Sequence, residues 1–215
     1  QKLQANRHPI EVRIPAAAPV TPLRRVLPRD NGHKYEVEHR DGLLYIRTNK
    51  DAKNFRLVTA PLSDPSPAAW KPLLDHRPEI LLEGVELFRD FLVVQEKQAG
   101  LNRLRARSFA DGQWREVAFP EPVYSAVAMG TPEFDSRQLR YSYQSLVTPP
   151  SVYDFDMAAG SSTLLKREEV LGGFDPERYL SERLWATARD GTKVPISIVY
   201  PKGFARDGKA PLWLY

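Results

Sequence analysis

Short apolar runs separated by turn residues recur along the chain, and they constrain its fold more than any other feature. Helical periodicity is scarce, and the runs repeat with a spacing of roughly 40 to 50 residues, as the blades of a β-propeller do. A four-stranded meander has two faces and cannot bury either one alone, whereas blades stacked around an axis bury both. The sequence therefore predicts an all-β fold, a partial β-propeller of about three to four antiparallel four-stranded blades.

Three units of four candidate strands can be marked, with turn residues in matching places. Arg40-Asp41-Gly42, Arg89-Asp90 and Asp135-Ser136 separate first from second strands. Ala110-Asp111-Gly112 and Ala158-Ala159-Gly160 separate third from fourth strands, and Asp and Gly at these places favour tight turns. The predicted strands are residues 35–39, 43–48, 55–61 and 70–74 in the first unit, 80–87, 91–96, 104–109 and 114–119 in the second, and 124–129, 139–144, 151–156 and 163–166 in the third.

The stretch before Asn31 predicts the outer strands of a preceding blade, at residues 10–14 and 23–27. Between them Pro15, Pro19 and Pro22 predict a loop, because proline removes a donor from the strand ladder. About three to four blades do not close a ring, so we expect the chain by itself to associate or aggregate through its open blade edges.

The last part of the chain predicts a hairpin and then one more strand. Residues 184–188 and 194–200 are rich in β-branched and aromatic residues, and Asp190-Gly191 between them is a strong hairpin signal. An apolar strand is predicted at residues 211–215, and we expect a further segment downstream to cover it. Gly172-Gly173 and other turn-forming residues predict a hinge at residues 168–179.

The hairpin region also carries a resemblance to a known family. Ser181-Glu182, Leu184-Trp185 and the run from Ala188 to Tyr200, ARDGTKVPISIVY, resemble the prolyl oligopeptidase family of serine peptidases, in particular its oligopeptidase B branch. Further matches follow in the family's order along the chain, and they are Asn54-Phe55-Arg56, residues 82–88 and Gly172-Gly173-Phe174-Asp175.

The resemblance implies a seven-bladed propeller inserted in an α/β-hydrolase catalytic domain. Residues 1–167 then correspond to the C-terminal part of the propeller, and residues 168–215 to the hinge and the N-terminal strands of a truncated catalytic domain. It further implies a serine endopeptidase that cuts short peptides after Arg or Lys, with the propeller as a lid that selects substrates by size. The serine, acid and histidine of such an enzyme would lie beyond Tyr215, so we expect this chain alone to be inactive.

No residue of the chain is assigned a catalytic role from the sequence. The G-x-S-x-G elbow does not occur, and Gly160-Ser161-Ser162 falls in a predicted blade turn with no helix after it. The serine's general base is a histidine that a carboxylate holds in place. The four histidines all precede the third unit, and they are His8, His33, His39 and His76.

No metal, cofactor or nucleotide site is predicted either. His39 and Asp41 share a strand face, but a metal ion needs at least three convergent ligands, so we interpret them as a partly exposed histidine and a turn aspartate. Gly172-Gly173 lacks the further glycine and the lysine of a phosphate loop. Three acidic pairs lie outside any calcium-loop motif, and we interpret them as solvated strand faces: Glu36/Glu38, Asp154/Asp156 and Glu168/Glu169. For Glu168/Glu169 a salt bridge across the domain interface stays open as an alternative.

Charge and aromatic residues fit the same interpretation. The formal charge of +4, with both signs interspersed, gives no support for nucleic-acid binding. Arg103, Arg105 and Arg107 are predicted to form a solvated face of an exposed outer strand. Aromatic side chains at strand positions are predicted to fill blade interfaces, and they are Trp70, Trp114, Phe119, Tyr141, Tyr143 and Trp185.

The chain has no cysteine, which excludes a disulfide framework, thiolate catalysis and Cys-ligated zinc within it. We expect a cytoplasmic protein, or a periplasmic one if a signal sequence precedes the chain, and no membrane partner. Two alternatives stay open. One is a non-enzymatic propeller that holds a protein partner, and the other is a different branch of the same family, specific for proline or for acylated amino acids.

Overall fold

The computed structural model describes residues 3–4, 11–12 and 24–214, which fold into five antiparallel sheets. The helical elements in this part of the chain are two single-turn 3-10 helices, Pro67–Ala69 and Pro176–Arg178. The strands are β1 Leu3–Gln4, β2 Glu11–Val12, β3 Arg24–Arg25, β4 Tyr35–Arg40, β5 Leu43–Thr48, β6 Arg56–Pro61, β7 Lys71–Leu74, β8 Ile80–Leu87, β9 Phe91–Gln98, β10 Leu101–Ser108, β11 Trp114–Glu116, β12 Tyr124–Ala128, β13 Gln138–Ser145, β14 Ser151–Asp156, β15 Ser161–Arg167, β16 Tyr179–Thr187 and β17 Lys193–Pro201.

Three of the sheets are blades of a partial propeller. Blade A has the strand order β1-β4-β5-β6-β7, blade B consists of β8 to β11 and blade C of β12 to β15. In blades B and C the strands lie side by side in chain order, so each blade is an antiparallel meander. The predicted fold class is confirmed, because each strand predicted in the three units has its counterpart among β4 to β15, with ends that differ by a few residues.

Apolar side chains join the blades into one stack. Successive side chains along a strand point to opposite faces of the blade, so Tyr45 of β5 points toward blade B while Leu44 and Ile46 point away from it. The A–B interface holds Tyr45, Leu57, Leu82, Val85, Leu87, Leu92 and Val94. The B–C interface holds Phe88, Phe91, Val93, Leu104, Ala106, Val117, Ala126, Leu139, Tyr141, Tyr143, Phe155 and Met157.

The other face of blade A is covered by the segment that precedes it. Val26 and Leu27 are buried in a bend and pack on this face rather than continuing the strand predicted at residues 23–27. Of the preceding blade's predicted strands, β2 and β3 are present as a two-residue antiparallel pair. The remainder of residues 10–14, Leu23 and the proline loop at residues 15–22 lie outside the described residues.

The predicted C-terminal hairpin is confirmed and is longer than expected. β16 and β17 pair continuously from Tyr179 opposite Pro201 to Thr187 opposite Lys193. The strand predicted at residues 211–215 is wrong for residues 211–214, which carry no strand, and Tyr215 lies outside the described residues. A strand requires a neighbour for its ladder, and in the described part of the chain β17 pairs with β16 alone.

Candidate functional site

The candidate functional surface is the end of the blades from which the chain leaves the propeller. β15 ends at Arg167, where the predicted hinge segment begins, and we call this side of the blades the hinge end. Since neighbouring strands are antiparallel, the β9–β10 turn and the starts of β8 and β12 lie at the hinge end of their blades. The hydroxyl of Tyr124, the first residue of β12, donates to the carbonyl of Asn102 at 2.9 Å and aligns blades B and C there.

A buried ionic centre lies at the hinge end of blade B. The carboxylate of Glu96 on β9 is 0% exposed and accepts from Nη2 and Nε of Arg105 at 2.6 and 2.9 Å. Arg77, in the link from blade A to blade B, also donates to it. Burial by itself raises the pKa of Glu96, but the hydrogen bonds and charges of the two arginines outweigh it and lower the pKa. Both oxygens of this carboxylate are paired, so it ties the link between blades A and B to blade B and is not free to transfer a proton.

The three arginines of β10 do not form the solvated face that the sequence predicts. β10 is an inner strand of blade B, between β9 and β11, and not an outer one. Arg105 lies over the ring of Trp114 at 4.4 Å from its centroid in addition to its bond with Glu96. Arg103 forms a bidentate pair with Glu116 at 2.7 and 2.6 Å. The prediction was wrong because the sequence does not reveal that acidic partners stand on both neighbouring strands.

The Asn54-Phe55-Arg56 run fixes the junction between blades A and B. Phe55 has a positive φ of 63°, and its ring lies 3.7 Å from the guanidinium of Arg47. Nε of Arg47 donates to the carbonyl of Leu82 in blade B at 2.7 Å. Nδ2 of Asn54 donates to the carbonyl of Pro78 at 2.5 Å. Two motifs of the family resemblance, this run and residues 82–88, therefore meet at one junction and have a structural role.

Among the described residues, no serine hydroxyl is hydrogen-bonded to a histidine. Ser161 and Ser162 lie exposed at the start of β15, and Oγ of Ser162 accepts from the hydroxyl of Tyr141 at 3.0 Å. Nε2 of His33 lies 2.7 Å from Oγ1 of Thr48, and Nε2 of His76 is buried without a partner. His39 is exposed, and His8 lies outside the described residues.

Two of the three acidic pairs have interaction partners that account for them. Asp154 forms a bidentate pair with Arg140 at 2.8 and 2.9 Å, and Asp156 accepts from the backbone N–H groups of Ala158 and Ala159. Glu36 on β4 lies 3.4 Å from Arg47, and Glu38, half-buried on the same strand, also has an interaction partner. Glu168 and Glu169 are exposed, and their domain-bridging role stays a prediction. Within the described ranges no three His, Cys, Asp or Glu side chains converge as metal ligands, and no helix there is long and apolar enough to span a bilayer.

Most of the aromatic residues lie where the sequence predicts. Phe119 packs in the B–C interface, 4.4 Å from the ring of Tyr124 and 5.5 Å from that of Tyr143, measured between centroids. Tyr141 is buried there too, Trp114 packs on the A–B cluster and Trp70 packs on the outer face of blade A. Trp185 is different, because it lies on the hairpin and is half-exposed.

The hairpin β16–β17 meets blade B at the hinge end. Between blade C and the hairpin, Gly172 and Gly173 have φ of +90° and +81°, and Asp175 caps the 3-10 helix at the N–H of Glu177. Beyond this link, Arg183 and Pro195 approach the β9–β10 turn at Gly100. This contact was missed from the sequence, since residues so far apart along the chain leave no periodic signal.

One face of the hairpin is apolar and uncovered. Leu184 is directly opposite Ile196, and Val194 and Ala186 form the next pair on the same face. Leu184, Ile196 and Val194 are 39 to 43% exposed, a large value for aliphatic side chains in a sheet. The described residues therefore present, at the hinge end, a packed propeller surface and a hairpin with one uncovered apolar face.

Comparison with known proteins gives concordant results. Residues 5–168 match the family profile described as "Prolyl oligopeptidase, N-terminal beta-propeller domain". The chain is 41% identical over 203 residues to dipeptidyl aminopeptidase BI of Pseudoxanthomonas mexicana, covering 94% of this chain and 28% of that protein. It is 33% identical over 202 residues to protease 2 of Moraxella lacunata, covering 94% of this chain and 29% of that protein. The chain thus spans under a third of the length of these relatives.

Solved structures show the same fold. Oligopeptidase B from Leishmania major superposes with a TM-score of 0.77 and 34% identity over 86% of this chain and 27% of that one. Oligopeptidase B from Trypanosoma brucei, in a closed form with covalently bound antipain, gives a TM-score of 0.76 and 33% identity over the same shares.

Proposed function

Because the chain belongs to the prolyl oligopeptidase family, we propose that it is part of a longer serine peptidase that hydrolyses short peptides after Arg or Lys. The observation that carries the proposal is the match of residues 5–168 to the family's propeller domain, joined to the likeness with two oligopeptidase B structures. Residues 1–167 act as the C-terminal part of the propeller. Residues 168–215 act as the hinge and the N-terminal strands of an α/β-hydrolase domain.

The propeller in this proposal is a lid that selects substrates by size. Its two blade interfaces are filled by buried side chains, so a substrate does not pass between blades A, B and C. A peptide instead reaches the catalytic groups at the hinge end, when the link at residues 168–179 opens. A flexible peptide fits through such an opening, whereas a folded protein is excluded.

The catalytic chemistry belongs to segments beyond this chain. A serine activated by a histidine attacks the scissile carbonyl, the amine leaves with the proton that the histidine took, and water then hydrolyses the acyl-enzyme. Backbone donors stabilise the oxyanion in both steps. None of the described serines or histidines has the required neighbours, so the 215-residue chain alone is expected to be inactive.

The test uses the full-length protein and short chromogenic peptides that end in Arg, Lys or Pro before the reporter group. Release from the Arg and Lys peptides, abolished by a serine-directed covalent inhibitor, is the expected result. Cleavage after Pro alone assigns the protein to the proline-specific branch. If no peptide is cleaved, the enzyme proposal fails and the non-enzymatic propeller, holding a partner through its loops, takes its place.

A second candidate activity is the removal of dipeptides from a free amino terminus. It is favoured by the 41% identity to the dipeptidyl aminopeptidase of Pseudoxanthomonas mexicana. Matched peptides with free and with acetylated amino termini separate the two activities. An endopeptidase accepts both peptides, whereas a dipeptidyl aminopeptidase cleaves only the peptide with the free amine.

The isolated chain is proposed to self-associate. The apolar hairpin face and the uncovered face of blade C are both open in it, and open sheet surfaces favour association. Sedimentation velocity at several concentrations measures this, and a protease-resistant monomer at all of them would contradict it.

We propose that the full-length enzyme is cytoplasmic, in line with the lack of cysteine in this chain, and cell fractionation with an antibody tests that location.

A further inference from the structure

The turn between β9 and β10, Ala99-Gly100, is the place where the hairpin β16–β17 rests on blade B. A Cβ atom placed on Gly100 would lie 3.1 Å from Nη2 of Arg183 and 3.7 Å from Cγ of Pro195. Arg183 and Pro195 lie on the same face of the hairpin, because Trp185, two residues after Arg183, is directly opposite Pro195. Two hairpin side chains thus converge on one backbone turn.

A second turn in the molecule has the same shape and lacks this contact. Ala99 and Gly100 have φ of 49° and 82°, and Asp41 and Gly42 have φ of 50° and 74°. Both pairs are two-residue loops between antiparallel strands, β9–β10 and β4–β5. Nothing lies within 4 Å of a Cβ atom placed on Gly42. Positive φ accounts for glycine in both turns, and only at Gly100 does the lack of a side chain also admit a neighbour.

The hydrogen bonding of Arg183 is incomplete in this position. Its Nε is buried and has no partner, and its guanidinium lies 5.1 Å from the ring centroid of Trp185. Burial raises the pKa of Tyr124, whereas the positive charges of Arg103 and Arg183 oppose this rise, so Arg183 acts on the edge of blade C as well. A buried donor without an acceptor is costly. The contact therefore has a good steric fit and a poor polar one.

We infer that the Ala99-Gly100 turn is the seat on which the catalytic-domain hairpin closes, with Arg183 as the positioning residue. The unpaired Nε keeps this closed contact weak enough to release when a peptide enters. The inference rests on the proposed peptidase function and adds to it the contact in this chain that balances closing against opening.

The experiment changes the charge of the Ala99-Gly100 turn in the full-length protein. Gly100→Asp places a carboxylate beside Nη2 of Arg183 and completes an ion pair, and Gly100→Asn gives the same shape without charge. Asp and Asn both tolerate positive φ, so the two variants share the backbone cost. Gly42→Asp is the matched control, because it adds the same residue to a turn of the same shape in open space.

We expect Gly100→Asp to raise the equilibrium constant between the closed and the open form by about two- to fivefold, the range of a single exposed ion pair. Trypsin cleavage of the hinge segment should slow by that factor relative to Gly100→Asn, and kcat/KM should fall more for a ten-residue peptide than for a two-residue substrate. Both effects should shrink at about 1 M salt, because salt screens the new ion pair. Gly42→Asp should be cleaved by trypsin at the same rate as the unmodified protein and should hydrolyse both substrates equally well.

Equal hinge cleavage in Gly100→Asp and Gly100→Asn at low salt would overturn the inference. Hinge cleavage is measurable even if the protein hydrolyses no peptide, so failure of the proposed function is told apart from failure of the seat. If Gly100→Asp does not fold, Arg183→Gln decides the matter. It removes the buried Nε donor that has no acceptor and should therefore slow hinge cleavage, and an unchanged or faster rate would reject the role of Arg183.

Discussion

Blade B and the hairpin β16–β17 are both antiparallel sheets, but their surroundings differ. Blade B has a neighbouring blade on each face, and its one fully buried carboxylate among the described residues, that of Glu96, is completely paired. The hairpin leaves an apolar face open, and Nε of Arg183 on its other face lacks an acceptor. We therefore expect stability to be concentrated in the stacked blades and the hairpin, with one apolar face uncovered by the described residues, to open more readily.

The largest effect is expected from Glu96→Gln, which removes the buried counter-charge of two partly buried cations, Arg105 and Arg77. Loss of one partner from a buried ion pair costs about 3–5 kcal/mol. Hydrogen exchange of the β9 and β10 amides measures the local free energy of opening. The hairpin control is Glu182→Gln, whose exposed carboxylate lies beside Arg206 and should contribute far less, because solvent screens the pair. Similar losses of opening free energy at Glu96 and Glu182 would contradict the difference between blade B and the hairpin.

Truncation of matched leucines tests how well each sheet is covered. Leu104→Ala empties a fully buried position between blades B and C and should cost about 2–5 kcal/mol. Leu184→Ala removes a 39% exposed side chain from the hairpin and should cost under about 1 kcal/mol in the isolated chain. Urea unfolding of both variants in the isolated and full-length proteins compares them. A larger cost of Leu184→Ala in the full-length protein would show that a later segment covers the hairpin face.

Acid should weaken blade B through the same carboxylate. The pKa of Glu96 is lowered in the folded state, so its contribution is complete above the unfolded value, about 4.3, and is lost as the pH falls through the lowered folded pKa. This loss of stability is smaller than the loss caused by Glu96→Gln, because Glu96 is only partly protonated over most of this pH range. Hydrogen exchange of β9 between about pH 5 and pH 3 should show this loss in the unmodified protein. An equal pH dependence in Glu96→Gln would assign it to another group.

The blades could be predicted from the sequence because their signals are local. Apolar runs mark the strands and turn residues mark most reversals, with Asp-Gly at residues 41–42 and 111–112, and the hairpin at Asp190-Gly191 follows the same rule. The strand predicted at residues 211–215 was wrong over residues 211–214 because an apolar run predicts a strand only if another strand is beside it.

The polar arrangement at the hinge end could not be predicted, since it depends on distant partners. A period of two places Arg103, Arg105 and Arg107 on one face, yet only the sheet order shows that Glu96 and Glu116 stand beside them. Likewise, Gly100 is accounted for locally by its turn, and its approach to Arg183 depends on how the hairpin returns to blade B.

The smallest effect concerns two glycines that both have room for a Cβ atom but differ in backbone conformation. Gly84, in β8 of blade B, is half-buried, and a Cβ atom there would meet only Cβ of Gln95, at an ordinary 3.9 Å. Gly191, in the hairpin turn, has open space around it but a φ of +86°. Gly84→Ala should raise stability by about 0.4–1 kcal/mol, since alanine reduces the entropy of the unfolded chain, and Gly191→Ala should lower it by a similar amount, because its φ is strained. Thermal unfolding of the two variants measures both changes, and a destabilised Gly84→Ala would mean that the register shift of β8 at this residue requires glycine.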